Sequence, residues 1–180
     1  MAKGWAYVGG AWYYLDPSSG VMQTGKMTIG GAIYFLTSSG AMKTGWNEEG
    51  DPYWYYDSFG DIRKGSNWYY YGSSGAMTRG WIRLGGIWYY LNSTNGLMQI
   101  DFYKVGNVDY YSHDSGAMHT GWLHKGNNWY YFSGSGAMQK SRWIGNYWVA
   151  SDGVMATNSW VDNGRYYVGG NGAWVPGAKK

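Results

Sequence analysis

The chain has 180 residues, 21% aromatic and only 14% charged, with 31 glycines, no cysteine and a net charge of +3. That is long enough for one ordinary domain, yet Leu, Ile and Val are too scarce for a conventional aliphatic core. Lack of cysteine excludes disulfides and thiolate metal sites, scattered basic residues leave a weak nucleic-acid footprint, and no apolar run approaches the roughly 18–20 residues of a membrane span.

The opening Met-Ala-Lys reads as an expression start on an excised module, with no hydrophobic leader behind it. The first predicted strands are WAYVG (5–9) and WYYL (12–15), joined by a turn at Gly9–Gly10. Alternation puts Trp12 and Tyr14 on one face and Tyr13 and Leu15 on the other, and aromatic residues suit such a pleated surface. A loop, DPSSG, follows, whose glycine can adopt positive φ. The same order returns along the chain, with turn signals at Gly30–Gly31, Gly85–Gly86, KGNN (125–128) and DNG (162–164). No segment has sustained helical periodicity.

The repetition is the strongest feature. SSGVMQTG (18–25) recurs as SSGAMKTG (38–45), SSGAMTRG (73–80), DSGAMHTG (114–121) and GSGAMQK (134–140). Gly20, Gly40, Gly60, Gly75, Gly96, Gly116, Gly136, Gly153 and Gly172 mark nine units, with Ile62 and Trp174 standing in for the methionine at two of them. One hairpin of about twenty residues buries too little to be stable alone, so neighbours must stack into a quasi-linear solenoid. The expected fold is therefore an all-β array of about nine stacked hairpins over residues 1–180, read as a single module. Tyr13, Tyr34, Tyr55, Tyr69, Tyr89, Tyr110 and Tyr130, with the methionines, are the expected stacking core.

Units such as GWIRLGGIWYYLNSTNGLM (80–98) and GWLHKGNNWYYFSGSGAM (121–138) resemble choline-binding (cell-wall-binding) repeats, and the resemblance covers nearly the whole chain. It implies a left-handed superhelix with about three hairpins per turn. The same repeat style occurs in glucan-binding regions and clostridial toxin repeats. It further implies aromatic cages built from the Gly-Trp indole, the Trp of Trp-Tyr-Tyr and the second Tyr of the next repeat. A quaternary ammonium has no hydrogen to donate, so ring faces must supply the attraction. Transferred residue by residue, the cages are Trp5, Trp12 and Phe35; Trp46, Trp54 and Tyr70; and Trp81, Trp88 and Tyr111. Trp122 and Trp129 form another, with Trp148 beside Val149 as the third wall. Trp143, Tyr147 and Tyr167 make up a compressed set.

The intervening units lack these rings. Lys26 and Ile33 stand at the two Trp positions of the second unit, Trp68 is alone in the fourth, Phe102 and Asp109 occupy the sixth, and Trp160 is followed by Arg165 in the ninth.

No catalytic or metal-binding set is expected, and no cofactor. His113, His119 and His124 read as surface residues, and Glu48, Glu49 and Asp51 as a solvated acidic turn. The resulting expectation is a non-catalytic, secreted module that holds its carrier on the bacterial cell surface through choline on teichoic acid. An α-glucan or glycan-binding module and a purely structural stalk are the alternatives; three-walled cages favour a cation over a sugar, which needs one or two platforms.

Overall fold

The computed structural model describes residues 2–57 and 60–180, with the backbone alone for 54–56. Eighteen strands in nine antiparallel two-stranded ladders, and no helix, are present among the described residues. They divide into two compact units, Met1–Tyr56 with Ile62–Gln99, and Asp57–Asp61 with Ile100–Lys180.

In the first unit β1 (Gly4–Val8) pairs with β2 (Ala11–Leu15), and β3 (Gly25–Ile29) with β4 (Ala32–Leu36). The next four strands are β5 (Gly45–Glu48), β6 (Tyr53–Tyr56), β7 (Ile62–Gly65) and β8 (Trp68–Tyr71). Here the order departs from simple succession. β5 pairs with β8, and the β6–β7 hairpin is inserted between them. β9 (Gly80–Leu84) and β10 (Ile87–Leu91) complete the unit. The second unit runs in plain succession through β11–β12 (Asp101–Val105, Val108–Ser112), β13–β14 (Gly121–Lys125, Asn128–Phe132), β15–β16 (Arg142–Ile144, Tyr147–Val149) and β17–β18 (Ser159–Val161, Tyr166–Val168).

Within each unit, loops that follow a hairpin tie it to the one before. Met42 N donates to Trp12 O at 2.7 Å, Met77 N to Ile33 O at 2.7 Å, and Met98 N to Trp68 O at 2.9 Å. In the second unit Met138 N reaches Asp109 O, Met155 N reaches Trp129 O, and Trp174 N reaches Asn146 O, all at 2.8–2.9 Å. Six loop methionine thioethers then lie on the loop glycine of the next hairpin: Met22 on Gly40, Met42 on Gly75 and Met77 on Gly96, then Met118 on Gly136, Met138 on Gly153 and Met155 on Gly172. A β-carbon at Gly75 would overlap Met42, and φ there is +78°, so the Gly-x-Met step is needed twice over, for backbone conformation and for close approach. This ladder runs directly from the 40–42 loop to the 75–77 loop. Gly60, in the inserted hairpin, has nothing within 4 Å of a built β-carbon.

From β4 onward the last residue of a second strand forms the core, whereas Leu15 at the end of β2 is only half-buried. Leu36, Tyr71 and Leu91 in the first unit and Ser112, Phe132, Val149 and Val168 in the second are 0% exposed. Phe132 sits with Tyr111, Leu123 and Tyr130 in a cluster that also takes Phe102, Met138 and Val154. The β1–β2, β9–β10 and β13–β14 ladders present a second face of paired indoles, which is where the site lies.

Candidate functional site

The glycine before each leading indole, such as Gly4 and Gly121, has φ between +75° and +84°, a turn that sets the following Trp on the open face of its hairpin. In β1–β2, Trp5 lies opposite Tyr14 and Trp12 opposite Tyr7. The two indoles stand at 88° with centroids 6.4 Å apart, and Tyr34 of the next hairpin comes within 4.9 Å of Trp5. These three rings, with Met42, Ser73 and Ser74, line a cavity of about 270 Å³.

The second unit repeats the arrangement. Trp122 and Trp129 are 6.4 Å apart at 80°, Tyr147 is 5.5 Å from Trp122, and with Met155 and Asn171 they line a cavity of about 330 Å³. Trp81 and Trp88 form a third such pair, 6.4 Å apart at 88°. Trp12, Trp88 and Trp129 are 43%, 41% and 41% exposed, although each is backed on its own ladder, by Tyr7 at 5.2 Å, the Arg83 guanidinium at 5.9 Å and the stacked His124 ring at 4.7 Å. The second indole of each pair, held near a right angle to the first, is thus left open to solvent.

Three of the third walls differ from those the sequence implied by one residue, and the ring that meets Trp46 from the next hairpin is Tyr89 in place of Tyr70. Tyr34, not Phe35, meets Trp5; Phe35 lies opposite Lys26 in its own ladder and 6.2 Å from Tyr71. Tyr147, not Trp148, meets Trp122, while Trp148 is the cross-strand partner of Trp143 at 5.4 Å. Tyr167 packs on Trp160 at 5.5 Å, leaving Tyr166 to approach Trp143 at 5.6 Å. Tyr111 is 5% exposed among Phe102, Phe132 and His119, a core position. Successive residues of a strand face opposite sides, so the first Tyr of a Trp-Tyr-Tyr step looks back at the preceding hairpin while the second supports its own indole. Tyr34 and Tyr89, expected in the stacking core, thus face the indoles of the preceding hairpin, Tyr147 faces Trp122 and not the Trp143 set in which it was expected, and Tyr90 and Tyr111 are buried.

The nested hairpin changes the third set as well. Trp46 pairs opposite Tyr70, 5.2 Å away, and Glu48 opposite Trp68, so Trp68 holds the position that Trp12 holds in β1–β2. Tyr89 then comes within 5.2 Å of Trp46. The sequence reading gave this place to Trp54, whose backbone pairs with Lys64 in the inserted hairpin and whose side chain lies outside the described residues. Trp68, Tyr34, Tyr89 and Tyr166 were the ring positions missed. The intact WYYYGSSGAM step after Trp68 was the available signal.

At β3–β4 the indole position holds Lys26, and the structure fills the gap with that residue's own charge. Its ammonium lies 3.7 Å over the ring of Tyr69, which pairs in β8 as Tyr34 does in β4, and 3.0 Å from Glu49 Oε2. Glu49 Oε1 accepts from the Tyr71 hydroxyl at 2.5 Å and from Asn47 Nδ2 at 3.2 Å. Its side chain is only 11% exposed, so it is an inward anchor and not the solvated turn residue expected. Burial, reinforced by the Glu49 carboxylate, pushes the Tyr71 hydroxyl well above the usual phenol range and keeps it a donor. At β11–β12, Asp109 takes the second indole position. Burial opposes its charge, but Lys104 at 2.8 Å and Lys140 at 2.7 Å outweigh that and hold its carboxyl below the usual range.

The histidines form no metal set: among the described residues no three His, Cys, Asp or Glu side chains converge. His113 Nε2 and His119 Nδ1 are 3.1 Å apart, and His119 Nε2 is 3.2 Å from Trp122 O, so His119 is half-buried and not a plain surface residue. Among the described residues no helix is long and apolar enough to cross a membrane.

Choline-binding repeat models match residues 60–101, 99–143 and 137–174, and a cell wall binding repeat model matches residues 3–22. The choline-binding domain of CbpL from Streptococcus pneumoniae is 34% identical over 99% of this chain and 100% of that one, with a TM-score of 0.54. The chain belongs to the choline-binding repeat family. Choline-binding protein F from the same organism is 37% identical over 97% of this chain (TM-score 0.79), and CbpJ is 36% identical over 97% (TM-score 0.79). This repeat chain spans 57% and 58% of the length of those two structures. No curated protein sequence matches it.

Proposed function

We propose that this choline-binding repeat chain is a non-catalytic module that captures trimethylammonium groups between successive hairpins and thereby holds its carrier on choline-bearing teichoic acid at the bacterial cell surface. The observation that carries the reading is the recurrence of one right-angled indole pair, at Trp5–Trp12, Trp81–Trp88 and Trp122–Trp129, with the same 6.4 Å separation and the second ring left open. A tyrosine wall from the next hairpin and a methionine floor close two of these into cavities of about 270 and 330 Å³, ample for a trimethylammonium head.

The physics fits a cation without a proton. Each ring face contributes roughly 0.5–2 kcal/mol depending on desolvation, so three give about 1.5–6 kcal/mol, equivalent to roughly tens of millimolar to tens of micromolar affinity for free choline. A polymer bearing many choline groups engages several cages at once and raises the apparent affinity by about 10²–10⁴ where spacing allows. Cages Trp5–Trp12–Tyr34, Trp46–Trp68–Tyr89 and Trp122–Trp129–Tyr147 are the proposed sites, with Trp81–Trp88 as two walls of another. Titration of tryptophan fluorescence with choline, and separately with dextran, tests the reading. A saturable response to choline alone is expected; saturation by dextran at lower concentration than choline makes the module a glucan binder.

A further inference from the structure

The loop after β12 carries a side-chain pair that the aromatic cages do not use. The loops after β4 and β14 close in one way, by bonds from the residue after the second strand and from the residue after the loop methionine. Thr37 N donates to Ala41 O and Lys43 N to Phe35 O; Ser133 N donates to Ala137 O and Gln139 N to Tyr131 O. After β12 the same two positions hold His113 and His119. His113 N is bonded to Ala117 O at 3.0 Å and His119 N to Tyr111 O at 2.8 Å, so the backbone fixes an imidazole on either side of the Ser112–Met118 bridge. The rings are held as well. Tyr111 meets both edge to face, His113 at 5.7 Å and His119 at 6.1 Å, and Phe132 meets His119 at 5.6 Å.

The partners also fix where the hydrogens sit. His119 Nε2 lies 3.2 Å from Trp122 O, and a carbonyl only accepts, so Nε2 carries the hydrogen and Nδ1 keeps a lone pair. That lone pair faces Nε2 of the exposed His113 at 3.1 Å and accepts its hydrogen. Metal-bound imidazoles use the same arrangement, one nitrogen on the ion and the other N–H on a backbone carbonyl. Bonds of about 2.0–2.1 Å from one ion to both nitrogens would meet at roughly 95–100°, between the right angle of a square plane and the tetrahedral value. We infer that His113 Nε2 and His119 Nδ1 form a two-imidazole site for a divalent transition-metal ion of the zinc and copper class, with water in the remaining positions. The ion replaces the hydrogen shared by the two rings, which moves through solvent to His113 Nδ1. Two ligands are one short of a three-residue set, so the ion stays open to solvent and is no structural part of the fold. Mg²⁺ and Ca²⁺ take oxygen ligands and do not fit. The site is independent of the choline reading.

The test is titration of the intact chain with zinc chloride, without choline, followed through the imidazole nitrogen resonances of wild type and His113→Gln. Zinc should shift His119 Nδ1 and His113 Nε2 with one-to-one saturation and leave the Nε2–H of His119 in place. His124, stacked on Trp129, should not move. Zinc should also raise the melting temperature of the wild type, because it binds the folded chain. His113→Gln, at an exposed loop position, is expected to keep the metal-free melting temperature. It should weaken zinc binding by more than the roughly 10–100-fold that loss of an outer partner costs. Magnesium chloride at equal concentration should shift neither ring. If His113→Gln melts early, the wild-type nitrogen shifts decide alone, since an ion on this pair moves Nδ1 of His119 and spares its Nε2–H. No saturable shift of the pair, equal shifts at all three histidines, or undiminished zinc affinity in a folded His113→Gln each overturn the inference.

Discussion

Replacing Lys26 by Met isolates the most unusual feature of the first unit, a cage position occupied by the protein's own cation. The substitution keeps the stem's packing and removes the ammonium from Glu49 Oε2 at 3.0 Å and from the Tyr69 face at 3.7 Å. Glu49, 11% exposed, keeps only the neutral donors Tyr71 and Asn47. Breaking a fully buried pair costs about 3–5 kcal/mol, but Lys26 is 34% exposed and solvent screens part of that interaction. A loss of about 2–3 kcal/mol in urea unfolding is the expected result. Because the loss arises from an uncompensated carboxylate, Glu49→Gln in the Lys26→Met background should recover about 2 kcal/mol relative to additivity in a double-mutant cycle. Effects that add within about 0.5 kcal/mol would refute the coupling and reduce Lys26 to a surface residue.

Three other perturbations follow from the geometry. Tyr90→Ala should destabilise by about 3–5 kcal/mol, because that ring is 8% exposed, whereas Tyr89→Ala should cost less and instead weaken choline binding at Trp46; urea melts and calorimetry on both variants separate the two roles. Gly75→Ala should cost about 1–3 kcal/mol from its φ of +78° alone and more through its overlap with Met42; Gly60→Ala, at +85° with open space, should cost only the backbone strain, so equal losses would contradict a ladder that bypasses the inserted hairpin. Burial and the neighbouring His113 depress the pKa of His119 despite its bond to Trp122 O, so the folded state favours neutral imidazole. Unfolded chains take up the proton near pH 6.5, and stability should fall as pH drops from there through the depressed folded value. Urea midpoints for wild type and His119→Gln between pH 7.5 and 5 check this; an equal decline in both would assign it elsewhere.

The sequence carried the repeat because Gly-x-Met and Trp-Tyr-Tyr-Leu are short-range requirements. The glycine must accept a thioether against its Cα, and the strand must alternate, so both leave a local signature. Pairing partners are not local. WYYDSFGD (54–61) has the same local form as a true repeat, and only the short step from Gly60 to Gly75 and Ile62 in place of Met hinted that β5 would skip to β8. The indole pairs of Trp5–Trp12, Trp81–Trp88 and Trp122–Trp129 were legible because both members lie on one hairpin. Third walls were not, since strand alternation separates Tyr34 from Phe35 but does not say which of them meets the preceding hairpin. Glu49 was misread for a similar reason: its partners Lys26 and Tyr71 come from strands distant in sequence.

The central claim is that choline enters the right-angled cages, and the 13 indole N–H groups make each cage separately visible by NMR. Titration with choline should shift Trp5, Trp12, Trp122 and Trp129 with saturation, while Trp160, which packs on Tyr167 away from these cavities, stays in place. Trp129→Ala should silence Trp122 and leave Trp5 and Trp12 responding as before. Uniform small shifts across all indoles, or a Trp122 response that survives loss of Trp129, would contradict the account.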